Sequence, residues 1–418
     1  MPLSLNATPH AQRWFTSAAH WPDAVLPAYD GGSIGNLPAS ILNAFISPGQ
    51  GNNSSLLSPL QPSVLHPGFL DGARVVVLIV VDGFGADVLG WAEAEGALRH
   101  LSQAQMATRM TSVFPSTTAA ALTTLQTGLP PAQHGMAGYT LYMAAQQAVI
   151  NMISWKPVGG MPVRLPLPQP KGFLGVPTLY DLLECHDTPS TVVSNLAFMD
   201  SPLTRVHSSG VPYSGHRTPA EFAGMLLREV EKPGRRFVFG YWDGYDALSH
   251  THGPESAICL DELHLLDAAL GRGFFDRLGN RSGDVAVLVT ADHGHTPISI
   301  ERTHSLKKIL REHSPARLIP TGDRRAMGLA FDDLPGLHAL REIAGNDGVV
   351  LPVHDAVKAG LYGPGELHPG LEARIGKTLL LAKDDASFVY PKSNNPTAGG
   401  HGSLTAREML VPLLGWRF

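Results

Sequence analysis

The sequence predicts an α/β protein with a mostly parallel central sheet flanked by helices and a smaller inserted α+β cap domain. Two runs of mainly β-branched residues, 74–81 and 284–290, are typical of strands buried on both faces of a parallel sheet. Between residues 302 and 391, short strand patterns alternate with amphipathic helical patterns, and charged residues are more frequent. We therefore predict a core of residues 1–301 and 392–418 and a cap domain of residues 302–391. A decorative surface insertion is the alternative.

The composition allows a sizeable hydrophobic core and argues against a nucleic-acid polymer or a membrane surface as partner. The chain has 418 residues, of which 44 % are hydrophobic. Its net charge is −5 and its pI is near 6.4. Lys and Arg are scattered, so we expect neither a nucleic-acid polymer nor a membrane surface as partner. No signal-peptide pattern or apolar run of roughly 20 residues is evident, which predicts a cytoplasmic protein.

Neither the cysteines nor a serine-containing motif indicates a disulfide framework, a metal site or a catalytic nucleophile. Cys185 and Cys259 lack the spacing of a disulfide framework or a thiolate zinc site, and we expect both to be buried thiols. Residues 25–70 are rich in Pro, Gly, Asn and Ser and are predicted to wrap the surface as loop. Within them, residues 31–35 match the G-x-S-x-G pattern. Prolines break both flanks, which disfavours a nucleophile elbow.

The segment from Thr111 to Tyr139 is predicted to contain a short helix with hydroxyls at its start. Pro115 and Ser116 suit the turn before the helix, and Gly128 suits the position just past its end. Unpaired N–H groups and the helix dipole favour an anion there, and they favour a hydroxyl that must lose its proton. Simple capping by the hydroxyls is the alternative.

Acidic and histidine side chains follow several of the predicted strands. Asp82 ends the first buried strand, the Asp292-His293 pair follows a later one, and His401 lies on a glycine-rich loop. Asp246 and His250 are four residues apart, so on one helical turn they face the same way. These six oxygen and imidazole donors suit Zn²⁺ or Mn²⁺ and divide into two sites. Two ions about 3.5–4 Å apart form the clamp used for displacement at phosphorus.

The order of these motifs resembles the alkaline phosphatase superfamily, specifically its type I phosphodiesterase/nucleotide pyrophosphatase branch, from Val76 to about Val411. The family pattern is an Asp-Gly after a strand, a nucleophile ten residues before the Gly of a Thr-Gly, a His-Gly, a D-x-x-x-H-x-x-G-P, an Asp-His-Gly and a late His. The sequence supplies Asp82-Gly83, Thr118 before Thr127-Gly128, His134-Gly135, Asp246 to Pro254, Asp292-His293-Gly294 and His401.

This resemblance implies an alkaline phosphatase-like fold and a two-metal phosphodiesterase or pyrophosphatase. One metal ion, most simply zinc with manganese as the alternative, is expected on Asp82, Thr118, Asp292 and His293, and a second on Asp246, His250 and His401. Thr118 is the expected nucleophile, which attacks a phosphodiester and forms a phosphothreonine that water then hydrolyses. Thr117 and Ser116 are the alternatives, since only register separates them from Thr118. The cap domain is expected to cover the metal site and to set the substrate.

Two departures from the family pattern concern the substrate. Ala119 stands where members that act on nucleotides usually carry an aromatic residue, and Tyr139 replaces an Asn that often contacts phosphate. Tyr139, or the backbone, is therefore expected to contact the substrate. No Lys or Arg lies between Val113 and Thr140, which favours a diester over a monoester unless an arginine such as Arg164 arrives from a distant loop.

The resemblance thus implies a small-molecule phosphodiester or nucleotide-like substrate. The alternatives within the superfamily are a phosphomonoesterase, a phosphonate hydrolase and a phosphomutase. A relative that keeps the fold and binds ligands without catalysis is the remaining alternative.

Overall fold

The computed structural model describes residues 21–46, 56–279, 283–313, 320–390 and 397–418. The strands are β1 (Val75–Val81), β2 (Met106–Thr111), β3 (Thr140–Met143), β4 (Ala148–Asn151), β5 (Lys156–Pro157), β6 (Ser190–Asn195), β7 (Tyr213–His216), β8 (Arg236–Trp242), β9 (Val285–Thr290), β10 (Thr296–Pro297), β11 (Thr303–Ser305), β12 (Thr321–Gly322), β13 (Ala326–Leu329), β14 (Gly348–Pro352), β15 (Thr378–Ala382), β16 (Ser387–Val389), β17 (Gly399–Gly400) and β18 (Leu410–Arg417).

Helices cover both faces of the central sheet and join most of its strands. They are α1 (Leu37–Phe45), α2 (Ala86–Ala94), α3 (Thr118–Thr127), α4 (Pro131–His134), α5 (Leu179–Glu184), α6 (Pro202–Ser208), α7 (Pro219–Glu231), α8 (Gly244–His252), α9 (Ala257–Leu270), α10 (Asp276–Leu278), α11 (Lys307–His313), α12 (Leu334–Ala344), α13 (Val353–Lys358), α14 (Leu371–Ile375) and α15 (Ala406–Met409). Among the described helices, none has the length and apolar character needed to cross a membrane.

The central sheet has seven strands in the order β2-β18-β9-β1-β8-β6-β7. The five strands from β9 to β7 are parallel, whereas β18 runs antiparallel to both of its neighbours. Every residue of β1 and β9 is buried, as predicted for strands covered on both faces. The predicted α/β class with a mostly parallel central sheet is therefore confirmed.

The two edge strands of this sheet have no local sequence pattern that predicts a strand. β2 mixes Arg109 with apolar residues, and only part of it is buried. β7 has the sequence YSGH and pairs with β6 alone. Neither segment has the apolar run or the strict alternation of apolar and polar residues that indicates a strand. Each is therefore a strand because it pairs with a neighbouring strand of the sheet.

The predicted loop over residues 25–70 is wrong in part, because α1 lies within it. Pro38 stands in the first turn of α1, where a proline costs no hydrogen bond. Leu37, Ile41 and Phe45 on this helix are buried against the core. The high proline content of this segment thus gave no indication of a helix. Burial of its apolar side chains in the core holds the helix in position.

Ser33 of the G-x-S-x-G match is a structural residue. It is fully buried, its Oγ donates to Asn36 Oδ1 at 2.8 Å, and the same oxygen accepts from the Gly35 N–H at 3.2 Å. These bonds cap the short 3₁₀ turn Ile34–Asn36. The buried thiol prediction holds for Cys259 and is wrong for Cys185, which is exposed.

A second sheet lies in the segment predicted as a cap. It has four antiparallel strands in the order β12-β13-β15-β14. Leu306, Leu329, Leu340 and Phe388 belong to a separate apolar cluster beside it. A buried ion pair between Arg325 and Glu408, at 2.7 Å, ties the β12–β13 hairpin to α15 of the core. The boundaries of the cap domain stay a prediction.

Candidate metal centre

The acidic and histidine residues predicted as metal ligands meet at the carboxyl ends of the parallel strands. Asp82 directly follows β1, Asp292 follows β9 by two residues, and Asp246 lies in the first turn of α8, just after β8. Because β8, β1 and β9 are adjacent and parallel, their ends share one edge of the sheet. Functional groups of open α/β sheets are generally found at that edge.

The first group of side chains surrounds one nitrogen, His293 Nε2. This atom lies 3.1 Å from Thr118 Oγ1, 3.3 Å from Asp82 Oδ1 and 3.4 Å from Asp292 Oδ2. The other ring nitrogen, Nδ1, lies 3.1 Å from the Gly294 carbonyl oxygen. If Nδ1 carries the proton and donates to that carbonyl, the lone pair of Nε2 is free for a cation.

The two carboxylates of this group need a positive charge beside them. Among the described residues, Asp82 Oδ1 and Asp292 Oδ2 are buried and have no hydrogen-bond partner. Burial, followed by repulsion from Asp292, raises the pKa of Asp82 well above its usual value, and burial also raises the pKa of Asp292. Two buried carboxylates with open lone pairs are unfavourable unless a cation neutralises them. The donor set therefore fits a metal ion.

The second group comprises Asp246, His250 and His401. Asp246 Oδ1 lies 3.6 Å from His250 Nε2 and 3.7 Å from His401 Nε2, and the two Nε2 atoms are 3.2 Å apart. The Nδ1 atoms of these rings face backbone carbonyls, that of Gly399 at 3.0 Å and that of Ser116 at 2.9 Å. Those contacts orient both Nε2 atoms toward the same point as the carboxylate. Burial and the nearby His293 hold the pKa of His401 well below its usual value, so this ring is neutral.

Asp246 connects the two groups. One of its oxygens lies close to His250, His295 and His401, and it also clusters with Asp82 and His293. Burial opposes its ionisation, but the neighbouring histidines, His250 first, hold the pKa of Asp246 well below its usual value. An ionised Asp246 between two donor groups is the arrangement that a pair of neighbouring cations needs.

His295 belongs to the site and was not predicted. Its Nε2 lies 2.6 Å from Asp246 Oδ1, and burial lowers its pKa to about 4. A neutral ring in this position donates its Nε2 proton to the carboxylate. The sequence signal was the second histidine of Asp292-His293-Gly294-His295. It was passed over because the family pattern ends at Asp-His-Gly.

The structure separates the three hydroxyls at the start of α3. The helix begins at Thr118 and ends before Gly128, whose φ is +69°, as predicted. Ser116 Oγ is engaged because it donates to the Ser403 carbonyl at 2.8 Å. Thr117 is the residue before the helix and makes no side-chain cap bond. Of the three, Thr118 has its oxygen beside His293, and its role as nucleophile stays a prediction.

Two cavities meet at Thr118. The smaller, of about 260 Å³, has apolar walls that include Leu122 and Phe239. The larger, of about 940 Å³, is lined by His250 and His401. We refer to them as the smaller and the larger cavity.

Two further segments contribute residues to the wall of the larger cavity. Tyr139, the predicted substrate contact, lies in its wall, and so does Arg324 from the turn between β12 and β13. Arg164, which was considered as a possible source of positive charge, is exposed and lines neither cavity. Arg324 was not predicted, because nothing in the local sequence indicates that the hairpin lines this cavity.

The order of the strands in the mostly parallel central sheet defines an α/β protein of the alkaline phosphatase type. The chain belongs to the type I phosphodiesterase / nucleotide pyrophosphatase family, whose sequence pattern matches residues 76–404. One relative, ectonucleotide pyrophosphatase/phosphodiesterase family member 3 of Rattus norvegicus, is 27 % identical over 240 residues, which are 54 % of this chain. The chain spans 25 % of the length of that curated relative.

Several solved structures share the fold of this chain. Murine ectonucleotide pyrophosphatase / phosphodiesterase 5 superposes with a TM-score of 0.59 at 17 % identity, covering 81 % of this chain and 87 % of its own. An inactive form of that protein, in complex with AMP, gives the same TM-score of 0.59. Phosphonoacetate hydrolase from Sinorhizobium meliloti 1021 superposes with a TM-score of 0.59 at 18 % identity, covering 82 % of this chain and 90 % of its own.

Proposed function

We propose that the protein is a two-metal hydrolase that cleaves phosphodiester or pyrophosphate bonds through a phosphothreonine on Thr118. The observation that carries the proposal is the position of Thr118 Oγ1, 3.1 Å from His293 Nε2 and beside two buried carboxylates with open lone pairs. A threonine hydroxyl is too weakly acidic to attack at neutral pH unless a neighbouring group activates it. Membership of the phosphodiesterase family supports the same reaction class.

The proposed ligand sets follow the two groups of donors. Asp82, Thr118, Asp292 and His293 would hold one ion, and Asp246, His250 and His401 the other. Zn²⁺ suits these oxygen and imidazole donors, with Mn²⁺ as the alternative. When bound, such ions supply Lewis acidity to the attacking and leaving oxygens.

The chain's own residues define the course of the reaction. Thr118 Oγ1 attacks phosphorus in line and loses its proton to water. The bond from phosphorus to the departing oxygen breaks, and that oxygen takes up a proton from water to leave as the alcohol or phosphate. Water then attacks the phosphothreonine, which releases the phosphoryl product and restores the hydroxyl. The start of α3 directs the positive end of its dipole toward the non-bridging oxygens. Tyr139 in the wall of the larger cavity is the proposed side-chain contact to the substrate.

We also propose that the segment 302–391 is a cap that shapes the substrate site. Residues from two parts of it, the β12–β13 hairpin and the β16 region, line the larger cavity. The proposed substrate is a small-molecule phosphodiester or nucleotide-like compound. A cytoplasmic location stays a prediction.

Turnover of two p-nitrophenyl esters by the zinc-loaded protein tests the proposed function. We expect hydrolysis of bis-p-nitrophenyl phosphate well above the uncatalysed rate and slower hydrolysis of p-nitrophenyl phosphate. Faster turnover of the monoester would favour a phosphomonoesterase. Bound zinc without turnover of either ester would indicate a binding protein that keeps the fold.

A further inference from the structure

We infer that Glu408 is a positioning residue for the second metal site, and that Arg325 of the proposed cap holds its carboxylate in place. Glu408 would act through the loop that carries His401, so that the proposed cap supports the metal centre in addition to shaping the substrate site. The inference rests on the proposed function, because it concerns one of the two proposed ion sites. It adds no metal ligand and leaves the attacking residue unchanged.

Glu408 lies at the centre of a buried hydrogen-bond network. Its Oε1 accepts from Arg325 Nε at 3.0 Å and from the Ser403 N–H at 3.0 Å. Its Oε2 accepts from Arg325 Nη2 at 2.7 Å and from Thr405 Oγ1 at 2.6 Å. The side chains of Glu408 and Arg325 are both fully buried. Each carboxylate oxygen thus has at least two donors, and the guanidinium balances the charge inside the protein.

Ser403 connects Glu408 to His401, two residues earlier in the chain. The Ser403 carbonyl accepts from Ser116 Oγ at 2.8 Å, and the same hydroxyl oxygen accepts from the Gly402 N–H at 3.2 Å. The Ser116 carbonyl lies 2.9 Å from His401 Nδ1. The loop is therefore held between Glu408 on one side and the turn before α3 on the other.

Two further contacts join this loop to the proposed cap. Ser403 Oγ donates to the Ala382 carbonyl of β15 at 2.7 Å. An added Cβ at Gly402, whose φ is +126°, would lie 2.6 Å from either carboxylate oxygen of Asp323, in the turn between β12 and β13. The hairpin that carries Arg325 therefore packs directly on the loop.

The position of His401 determines whether the second site is complete. Its Nε2 lies 3.7 Å from Asp246 Oδ1 and 3.2 Å from His250 Nε2, and it comes from a part of the chain about 150 residues away from both. Glycines on both sides of His401 make the loop backbone permissive unless other groups hold it. Metal–ligand distances tolerate deviations of only about 0.2 Å. A loop that lost its contact with Glu408 would therefore bind the second ion less tightly.

Zinc titration of metal-free wild type and two double variants by calorimetry tests the inference. Both variants remove the two charges together, because removal of one partner leaves an uncompensated buried charge. In Arg325→Met/Glu408→Met, the apolar variant, one of two ions should bind about 10–100-fold more weakly and the other as in wild type. Arg325→Met/Glu408→Gln, the amide variant, keeps an acceptor for the Ser403 N–H and should retain most of this affinity. Comparison with His401→Ala identifies the affected ion as the second one.

A second buried carboxylate provides the matched control. The Glu229 side chain is 5 % exposed and pairs with Lys232 at 2.6 Å, and neither residue lines the smaller or the larger cavity. Lys232→Met/Glu229→Met should therefore bind both zinc ions as wild type does. Denaturant titration of all variants would show that each is folded at the temperature of the measurement.

Metal binding keeps this inference separate from the proposed reaction. Two bound ions without ester turnover in wild type, with a selective loss in the apolar variant, would remove the reaction and leave the positioning role. Wild-type affinity for both ions in the apolar variant, equal weakening of both ions, or an equal loss in the apolar and amide variants would overturn the inference. Binding of a single ion by wild type would overturn the inference and the second site together.

Discussion

Thr118 differs from the hydroxyls beside it in what faces its oxygen. His293 Nε2 lies 3.1 Å away, with the open carboxylate oxygens of Asp82 and Asp292 around the same nitrogen. Ser116 instead donates to a backbone carbonyl. The exact residue at which α3 begins therefore determines which hydroxyl lies beside the proposed metal ligands.

Removing the Thr118 hydroxyl should abolish turnover and leave the fold intact. We expect Thr118→Ala to lower the kcat for bis-p-nitrophenyl phosphate by at least about 10³-fold, since loss of a nucleophile removes the covalent route. Zinc should still bind through the carboxylates and imidazoles, as elemental analysis would show. Thr117→Ala should lose less than about tenfold. A larger loss in Thr117→Ala than in Thr118→Ala would move the nucleophile by one residue.

His295 is expected to act on the metal site through Asp246 and is not itself one of the proposed ligands. Its ring is held 2.6 Å from Asp246 Oδ1, and the Cβ of any residue at Gly399 would lie 3.1 Å from its Nδ1. The ring thus fits closely behind the carboxylate. Groups that hydrogen-bond to metal ligands fix their orientation and raise metal affinity.

Replacing His295 should weaken one metal site selectively. We expect His295→Ala to lower the affinity for one of two Zn²⁺ ions by about 10–100-fold, because Asp246 loses its donor. Calorimetric titration of metal-free protein would measure this change. His338→Ala, at a side chain that is 79 % exposed, is the control. Equal affinities in His295→Ala and wild type would show that Asp246 needs no support.

At the scale of elements, the helix α3 depends on how it ends as well as on how it begins. Gly128 has a left-handed backbone, and an added Cβ would lie 2.9 Å from Leu56 Cδ2 and 3.3 Å from Pro38 Cβ. The left-handed backbone therefore favours glycine, and any larger residue would also have to displace the end of the Leu56 side chain. Gly90 of α2 offers the opposite case, since nothing lies within 4 Å of its added Cβ.

These two glycines form a matched pair for stability measurements. We expect Gly128→Ala to lower the free energy of unfolding by about 1–2 kcal/mol or more, because alanine is strained at positive φ and meets Leu56. Gly90→Ala should raise it by about 0.5–1 kcal/mol, because alanine restricts the unfolded chain and favours the helix. Denaturant titration of the zinc-loaded variants would compare them. An unchanged Gly128→Ala protein would contradict the role assigned to this helix end.

Strong local patterns made parts of the fold and site predictable. The apolar runs of β1 and β9 end at aspartates, and parallel pairing brings those ends together. Asp246 and His250 share a face because α8 is helical over Gly244–His252, as predicted. Such features depend on a few neighbouring residues and on one rule about parallel sheets.

Features that depend on distant pairing were missed. Arg324 lies in the wall of the larger cavity because its hairpin meets a strand 182 residues away in sequence, through the bond between Thr140 and Gly322. β2 forms largely by pairing with β18, which lies about 300 residues later in the chain. The sequence around these residues has no periodicity that indicates such contacts, so the contacts could not be predicted from it.

For the whole molecule, buried neutral histidines contribute to the loss of stability in acid. His207 is buried with its Nε2 2.8 Å from Thr123 Oγ1, and burial lowers its pKa to about 3. An unfolded histidine has a pKa near 6.5. Between these values the unfolded chain binds a proton that the folded chain does not, so stability is lost as pH falls below about 6.5.

The acid response should shrink when His207 is replaced. From pH 7 to pH 5 this one group should cost about 2 kcal/mol of stability, a loss that continues toward its folded pKa. Denaturant titrations of wild type and His207→Gln at both pH values would measure the difference. The variant should lose about 2 kcal/mol less than wild type over this interval. Identical pH dependence in the two proteins would contradict neutral burial of His207.

The central claim is that residues from opposite ends of the chain hold two cations beside Thr118, and zinc titration of the chelated protein tests it most directly. We predict that the metal-free protein is inactive on bis-p-nitrophenyl phosphate, that activity returns as two equivalents of Zn²⁺ bind, and that Asp246→Ala retains one equivalent and no turnover. Full turnover after chelation, or saturation of wild type at a single equivalent, would contradict the claim.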